Sequence, residues 1–323
     1  MTNHFFNLLI LNRVLISVIF NGSVKMNRTS GYSDLLSLIE DIAQNDGDYI
    51  TEIPVLSIYR RSTATDPMPC IFGLGLGVTL QGGKRVTLGD DVFDYGSGQA
   101  LINSIDLPIV SYVTQATKTE PYLGLRLDLD ANFIVQIATE MKTSRMYKGG
   151  PLRAMSVITL DDGLLDALIR LIKLLSEPNK VSFIAPLIQR EIIIRLLDGE
   201  HGPMLQHLAT VGSPSQQISQ VIAWMKLNYT NTISINELAD KAHMSSSTFR
   251  QHFRTITGLS PLQYLKSLRL QDARHWMLYE DMDAGSAAMR VGYESVSQFN
   301  REYARMFGEP PLRDIKRTRT LIN

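Results

Sequence analysis

Two stretches in the last third of the chain, ISINELADKAHMSSSTFRQHFRTITG at 233–258 and DAGSAAMRVGYESVSQFNREYARMFG at 283–308, carry one arrangement of side chains twice. In each, small or apolar residues sit where two short helices would cross tightly: Leu238 and Ala239, then Ala287 and Ala288. A brief turn follows, His243 to Ser245 in the first copy and Val291, Gly292 and Tyr293 in the second. Ser245 or Ser295 then caps a second helix that turns Phe249 and Phe253, or Phe299 and Tyr303, inward. The aromatic pairs lie 50 residues apart. The chemistry open to such a helix-turn-helix is base recognition, because its second helix fits the major groove, about 12 Å wide, with its N-terminal residues on base edges. One match is a weak signal; two at a fixed offset point to a tandem reader of duplex DNA.

Two readers need a rigid spacer. The stretch SPLQYLKSLRLQDARHWML at 260–278 is continuously amphipathic, with Pro261 in its first turn, and its 19 residues span about 28 Å as a helix at about 1.5 Å per residue. Successive major grooves on one face of a duplex lie about 34 Å apart, so the spacer permits both helices to engage one face.

The chain has 323 residues, 44% hydrophobic and 20% charged, which excludes a disordered or collagen-like protein and suggests about two domains. Its 32 Lys+Arg balance 32 Asp+Glu, but unevenly: residues 213–323 carry 14 against 10, and the remainder 18 against 22. The basic part is therefore the one with the repeated motif. Cys70 is the sole cysteine and the six His are scattered, so neither a disulfide nor a structural zinc site is expected, and a cytoplasmic location follows. The apolar run FFNLLILNRVLISVIF at 5–20 holds Asn12 and Arg13 at its centre and is shorter than the about 20 residues of a spanning helix. A central Arg costs about 2.5 to 3.5 kcal/mol on insertion scales, so no membrane role is expected. Residues 1–25 are read as an N-terminal extension, with Met26 as the expected start.

Between these ends, 33–43 has helical spacing, and 49–130 breaks into five β-rich runs separated by turn signals such as Gly82-Gly83 and Gly89-Asp90. That spacing reads as a small antiparallel barrel or sandwich. Helical periodicity returns at 131–141, 164–175 and 186–199, with Pro186 expected at the start of the last helix and Gly199 at its end. The 164–175 segment is more apolar than one buried stripe requires, which is met either by packing within the domain or by a dimer contact. Gly, Pro, Ser and Gln at 199–217 mark the expected linker.

The 101 residues 218–318 resemble the tandem helix-turn-helix domain of the AraC/XylS family of bacterial transcription regulators, on the motifs SINELADKAHMSSSTFRQHFRTITGLSPLQYLKSLRLQDAR and RVGYESVSQFNREYARMFGEPP. Residues 33–200 are similar to the N-terminal domain of an AraC-type subgroup, best at CIFGLGLGVTLQGGKRVTLG and PLIQREIIIRLLDGEHGPMLQHLA. The resemblance implies an α+β protein: a small cupin-like β-barrel with packed helices over 26–200, a linker at 201–217, and an all-α tandem helix-turn-helix domain over 218–318. It implies that the first reading helix presents Ser247, Arg250 and Gln251 to bases with Arg254 near phosphates, and that the second presents Val296, Ser297, Gln298 and Arg301. Val296 departs from the polar residue usual in the family and suits a thymine methyl; Pro310-Pro311 replaces the usual Ser-Pro. Promoter DNA, RNA polymerase and a small-molecule effector are the implied partners, with a homodimer through helices 164–175 and 186–197.

No His occurs between His4 and His201, so the barrel has none of the His ligands of metal-binding cupins, and Asp90, Asp91, Asp94, Asp128 and Asp130 fall at turns or strand ends. The expectation is a non-metal ligand pocket or a structural module, with no cofactor and no catalytic residue. Cys70 has no adjacent Lys, Arg or His to lower its pKa and reads as a core residue, against the alternative of an electrophile or oxidant sensor. A barrel-based enzyme or a DNA-repair-type protein with the same DNA-binding module is the competing functional class, and needs a reactive cysteine or a metal cluster.

Overall fold

The computed structural model describes residues 30–141 and 151–322, so the run at 5–20 and Met26 lie outside the described residues. Helix α1 (Ser30–Ile42) leads into nine strands: β1 (Gly47–Ile50), β2 (Leu56–Arg61), β3 (Met68–Phe72), β4 (Gly75–Gln81), β5 (Gly83–Leu88), β6 (Asp91–Gly96), β7 (Gln99–Asn103), β8 (Leu107–Gln115) and β9 (Tyr122–Asp128). Each of the first four β-rich runs bends into two strands. Helix α2 (Ala131–Glu140) and strand β10 (Met155–Thr159) follow, then α3 (Asp162–Lys173), α4 (Pro178–Asp198) and α5 (Gly202–Ala209).

The strands form two antiparallel sheets, β1-β2-β9-β4-β7-β10 and β3-β8-β5-β6, giving an open, two-sheet form of the cupin-like barrel. Register pairs Leu76 with Leu127 and Val78 with Leu125, so β4 and β9 turn one apolar row to the same face. Helix α1 packs on β9 and on α3, burying Leu35 and Ile39. The other face of the large sheet looks toward the small sheet and carries Gly75, Gly77 and Thr79 of β4 opposite Asn103, Arg126 and Gly124.

Two local expectations are corrected and one strand is added. Strand β10, in a stretch between the expected helices that the sequence left unassigned, is an edge strand paired with β7 more than 50 residues earlier, a partner that no local periodicity reveals. Pro186 lies inside α4, whose first turn is set by Pro178; it is exposed on the solvent side of the helix, where its missing N–H is tolerated. The stretch 201–217 carries α5 and the first turn of the next helix, with Met204, Leu205 and Leu208 buried, so the connection narrows to 210–213. The apolar excess of α3 is absorbed inside the chain: Leu164, Leu165, Leu168, Ile169, Leu171 and Ile172 are all buried.

From Pro214 the chain is helical: α6 (Pro214–Asn228), α7 (Ile235–Lys241), α8 (Ser246–Thr257), α9 (Pro261–Tyr279), α10 (Ala284–Arg290), α11 (Val296–Phe307) and α12 (Pro311–Ile322). One continuous buried cluster joins the sheets to α6–α8 and the first half of α9, ending at Leu268. A second core begins at Leu270 and serves α10–α12. Helix α9 rests on β3 and β8. There the Tyr264 hydroxyl donates to the Asp106 carbonyl at 2.8 Å, Lys226 of α6 pairs with the Asp106 carboxylate, and the Ala154 N–H donates to the Ile256 carbonyl at 3.0 Å.

Candidate nucleic-acid interface

The first helix-turn-helix is α7–α8. Ser234 caps α7 by accepting the Glu237 N–H at 3.1 Å, and Leu238 and Ala239 are its buried face. Ser245 caps α8 through the Thr248 N–H at 3.2 Å. Phe249 and Phe253 stack at 5.5 Å, and Phe253 meets Tyr264 edge-on at 5.6 Å, which locks the reading helix to α9.

The second is α10–α11. Asp283 caps α10 by accepting the Gly285 and Ser286 N–H groups, and Ser295 caps α11 through the Gln298 N–H at 3.3 Å. Phe299 and Tyr303 stack at 5.5 Å, matching the first copy. Both reading helices end on a left-handed glycine, Gly258 and Gly308. From caps to these glycines the offset is 50 residues, but from Ser234 to Asp283 and from Ala239 to Ala288 it is 49. The added residue, Glu294, lies between turn and cap. In both copies the turn closes on the same bond, Met244 N–H to the Ala239 carbonyl and Tyr293 N–H to the Ala288 carbonyl, each 3.0 Å. The preceding residue has positive φ: His243 at 53° and Gly292 at 85°. At Gly292 a Cβ would stand 2.2 Å from the Thr230 carbonyl oxygen, so glycine is required there for space as well as for conformation.

All eight residues expected to face DNA are exposed: Ser247, Arg250, Gln251 and Arg254 on α8, and Val296, Ser297, Gln298 and Arg301 on α11. In structural register Ser247 matches Ser297 and Gln251 matches Arg301, whereas Arg250 matches Asn300 and Arg254 matches Ala304. Asn300 is exposed and was missed by the sequence reading; applying the 50-residue offset to every position of α8 would have found it.

The arginines divide into two groups. Arg269 donates to the Tyr229 and Asn231 carbonyls, Arg274 pairs with Asp314, and Arg317 pairs with Glu309 and Asp314. Arg290 lies over the Trp276 ring at 3.6 Å and Arg319 donates to the Met277 carbonyl. These cations hold the fold. By contrast, among the described residues Arg250, Arg254, Arg301 and Arg305 make no ion pair, and all four are exposed on the reading helices. Unpaired guanidinium groups at a helix surface are available to phosphate oxygens and guanine edges.

The second core is held by a buried carboxylate. Asp314 accepts from Arg274 Nε at 2.6 Å and Nη2 at 3.0 Å, and from the Tyr303 hydroxyl at 2.6 Å. Burial pushes its carboxyl up, but the hydrogen bonds from Arg274 and Tyr303 outweigh it and hold the group below the ordinary carboxylate range.

In the N-terminal domain four of the five carboxylates serve the fold: Asp91 pairs with Arg153, Asp94 with Arg85 and Asp128 with Arg126, and Asp130 caps α2; Asp90 is exposed in a turn. Among the described residues no three His, Cys, Asp or Glu side chains converge on a point that would hold a metal ion. Burial pushes the Cys70 thiol up, against the pull of Lys84 and Arg126, so it is not poised as a thiolate. Three polar atoms on the inner face of the large sheet are buried without a hydrogen-bond partner: Thr79 Oγ1, Asn103 Oδ1 and Arg126 Nη1. Arg126 also lies over the Phe72 ring at 3.8 Å. An open groove of about 440 Å³ lies elsewhere, between α3 and α4, lined by Arg170, Lys173, Leu174, Leu187 and Glu191 among others.

A two-sheet domain followed by two helix-turn-helix units on one connecting helix defines a tandem helix-turn-helix protein. Comparison with known proteins narrows the class. Residues 52–204 match the AraC-type transcriptional regulator N-terminus, and residues 238–317 match a helix-turn-helix domain. The HTH-type transcriptional activator RhaS of Yersinia pestis (strain Pestoides F) is 30% identical over 100 residues, which cover 31% of this chain and 36% of that protein. RhaS of Citrobacter koseri is 31% identical over 106 residues, covering 33% and 38%. The aligned part thus spans little more than a third of these relatives. Among solved structures, ToxT from Vibrio cholerae superposes with a TM-score of 0.54 at 9% identity over 80% of this chain and 94% of that one, a likeness of fold. The chain belongs to the AraC/XylS family of transcription regulators. No helix among the described residues is long and apolar enough to cross a membrane.

Proposed function

We propose that this chain regulates transcription by binding promoter DNA sequence-specifically through α8 and α11, under control of a small molecule held between the two sheets of its N-terminal domain. The observation that carries the reading is the set of unpaired, exposed arginines on two capped helices in repeat register. The three orphaned polar atoms around Arg126 support the inter-sheet space as the effector site, since a ligand with hydrogen-bonding groups would satisfy them. ToxT, of similar fold, has been solved with an unsaturated fatty acid bound. RNA polymerase is the partner through which DNA occupancy would act, and the cytoplasm is the compartment where both meet. The working domain boundary is the connection at 210–213, inside the 201–217 stretch expected from the sequence. The raised Cys70 thiol disfavours the enzymatic alternative.

Control would act on the connecting helix. The sheets support α9 at Tyr264 and Asp106 and β3 also touches α11, while all eight reading residues stay exposed, so a shift in the sensor domain would bear on the readers' arrangement without covering them. A mobility-shift assay on the DNA upstream of its own gene tests the reading: a salt-sensitive complex resistant to nonspecific competitor is expected, and binding no tighter than to random duplex contradicts it.

Two apolar side chains of α4 are exposed beside the α3–α4 groove: Phe183 is 76% and Leu187 66% accessible. A homodimer through α3 and α4 would cover them. Leu187→Asp is expected to convert a dimer to a monomer by sedimentation velocity without lowering the melting temperature of the chain, and an unchanged sedimentation coefficient rules this interface out.

A further inference from the structure

Three donors converge on Glu302 of α11. Lys266 of α9 reaches its Oε1 at 2.7 Å, the Tyr293 hydroxyl donates to its Oε2 at 2.8 Å, and the Gln298 amide donates from Nε2 to Oε1 at 3.1 Å. Glu302 is four-fifths buried, whereas Gln298, one turn nearer the N-terminus, is exposed. We propose that Glu302 is a positioning residue that fixes which end of the Gln298 amide meets DNA, giving the second reader a preference for adenine over guanine at one base pair. This rests on the assignment of α11 as a reading helix.

The two ends of a glutamine amide differ: Nε2 carries two hydrogens and Oε1 only accepts. A carboxylate attracts the first and repels the second, so Glu302 selects one of the two orientations related by a flip. With Lys266 and Tyr293 holding both of its oxygens, the carboxylate cannot swing away from Gln298. The amide then turns outward its carbonyl oxygen and its remaining N–H. An acceptor beside a donor matches N6–H and N7 of adenine, whereas guanine offers two acceptors, O6 and N7. Released from Glu302, the amide is free to flip and present both hydrogens, which suits guanine. The first reader has no such device, because Thr248 and His252 stand at the matching positions.

The test is site selection from a randomised duplex pool by the full chain, its Glu302→Ala and Glu302→Gln variants, and Gln298→Ala to mark the base pair concerned. At that base pair the ratio of adenine to guanine is expected to fall about fivefold or more in Glu302→Ala, the scale of one bidentate contact. Glu302→Gln keeps a carbonyl acceptor for Gln298 and is expected to retain the preference; all other positions of the site stay as in the wild type. Retention of the adenine preference in Glu302→Ala overturns the proposal. So does an even loss of preference across the whole site with a lowered melting temperature, which is the mark of a merely structural residue. A wild-type chain that selects no sequence removes the reading-helix assignment itself, whereas a selected site that Glu302→Ala leaves unchanged removes the Glu302 inference alone.

Discussion

Replacing Asp314 with alanine is expected to destabilise the second helix-turn-helix by about 3 to 5 kcal/mol, the cost of leaving one member of a buried ion pair without its partner. Asp314 is 1% exposed and gathers Arg274, Tyr303 and Thr318 around its two oxygens. The alanine variant leaves the Arg274 guanidinium, itself only 13% exposed, without a counter-charge beside the Phe307 ring, with Thr318 Oγ1 as a remaining neutral partner. Because the core of α10–α12 is separate from the one beneath the sheets, the loss should appear as early unfolding of this unit while the N-terminal domain persists. Two thermal transitions, the lower one moved down, are the expected calorimetric trace; an unshifted lower transition contradicts the argument. The pH dependence has a definite sign. A carboxyl held below its unfolded pKa contributes stability that is complete above the ordinary carboxylate range and is lost as pH falls through the lowered, folded value. Melting of the second unit should therefore move to lower temperature below about pH 4, and this dependence should vanish in the alanine variant.

Arg250→Ala and Arg301→Ala carry the next largest effect, on binding. Each residue is exposed near the middle of its helix, makes no ion pair among the described residues, and loses nothing structural on truncation. If each forms one bidentate contact to guanine, its loss weakens specific binding by about 5- to 150-fold while leaving affinity for random duplex nearly unchanged. Truncating Arg254 or Arg305 should instead weaken specific and nonspecific binding together and reduce the salt dependence, the behaviour of phosphate contacts. Competition binding at two salt concentrations separates the cases. Wild-type affinity in both Arg250→Ala and Arg301→Ala refutes the assignment of α8 and α11 as readers.

Much of the DNA-binding half was legible because its signals are local. Ser245 and Ser295 each announce a helix start, and each side chain accepts the expected backbone N–H in the structure. The spacer at 260–278 became α9 with a capping box between Ser260 and Gln263. The N-terminal half was legible as a class but not in its pairing. Strand β10 owes its conformation to β7, and the inner face of the large sheet is defined by the register of β4, β7 and β9, which periodicity within one strand does not supply. Pro186 misled because a proline at a helix start and one on the solvent side of a continuing helix share the same local sequence. At the site, the eight residues came from the resemblance to the AraC/XylS family, and the folded chain leaves all eight exposed. The hold of Glu302 on Gln298 depends on Lys266 arriving from another helix, which only the folded chain reveals.

In the proposed arrangement one 19-residue helix presents two readers to one face of a duplex. Hydroxyl-radical footprinting of the full chain on a selected site tests it most directly. Two protected patches about 10 to 10.5 base pairs apart are expected, with Arg250→Ala weakening one and Arg301→Ala the other. A single patch, or the same patch weakened by both substitutions, would contradict it.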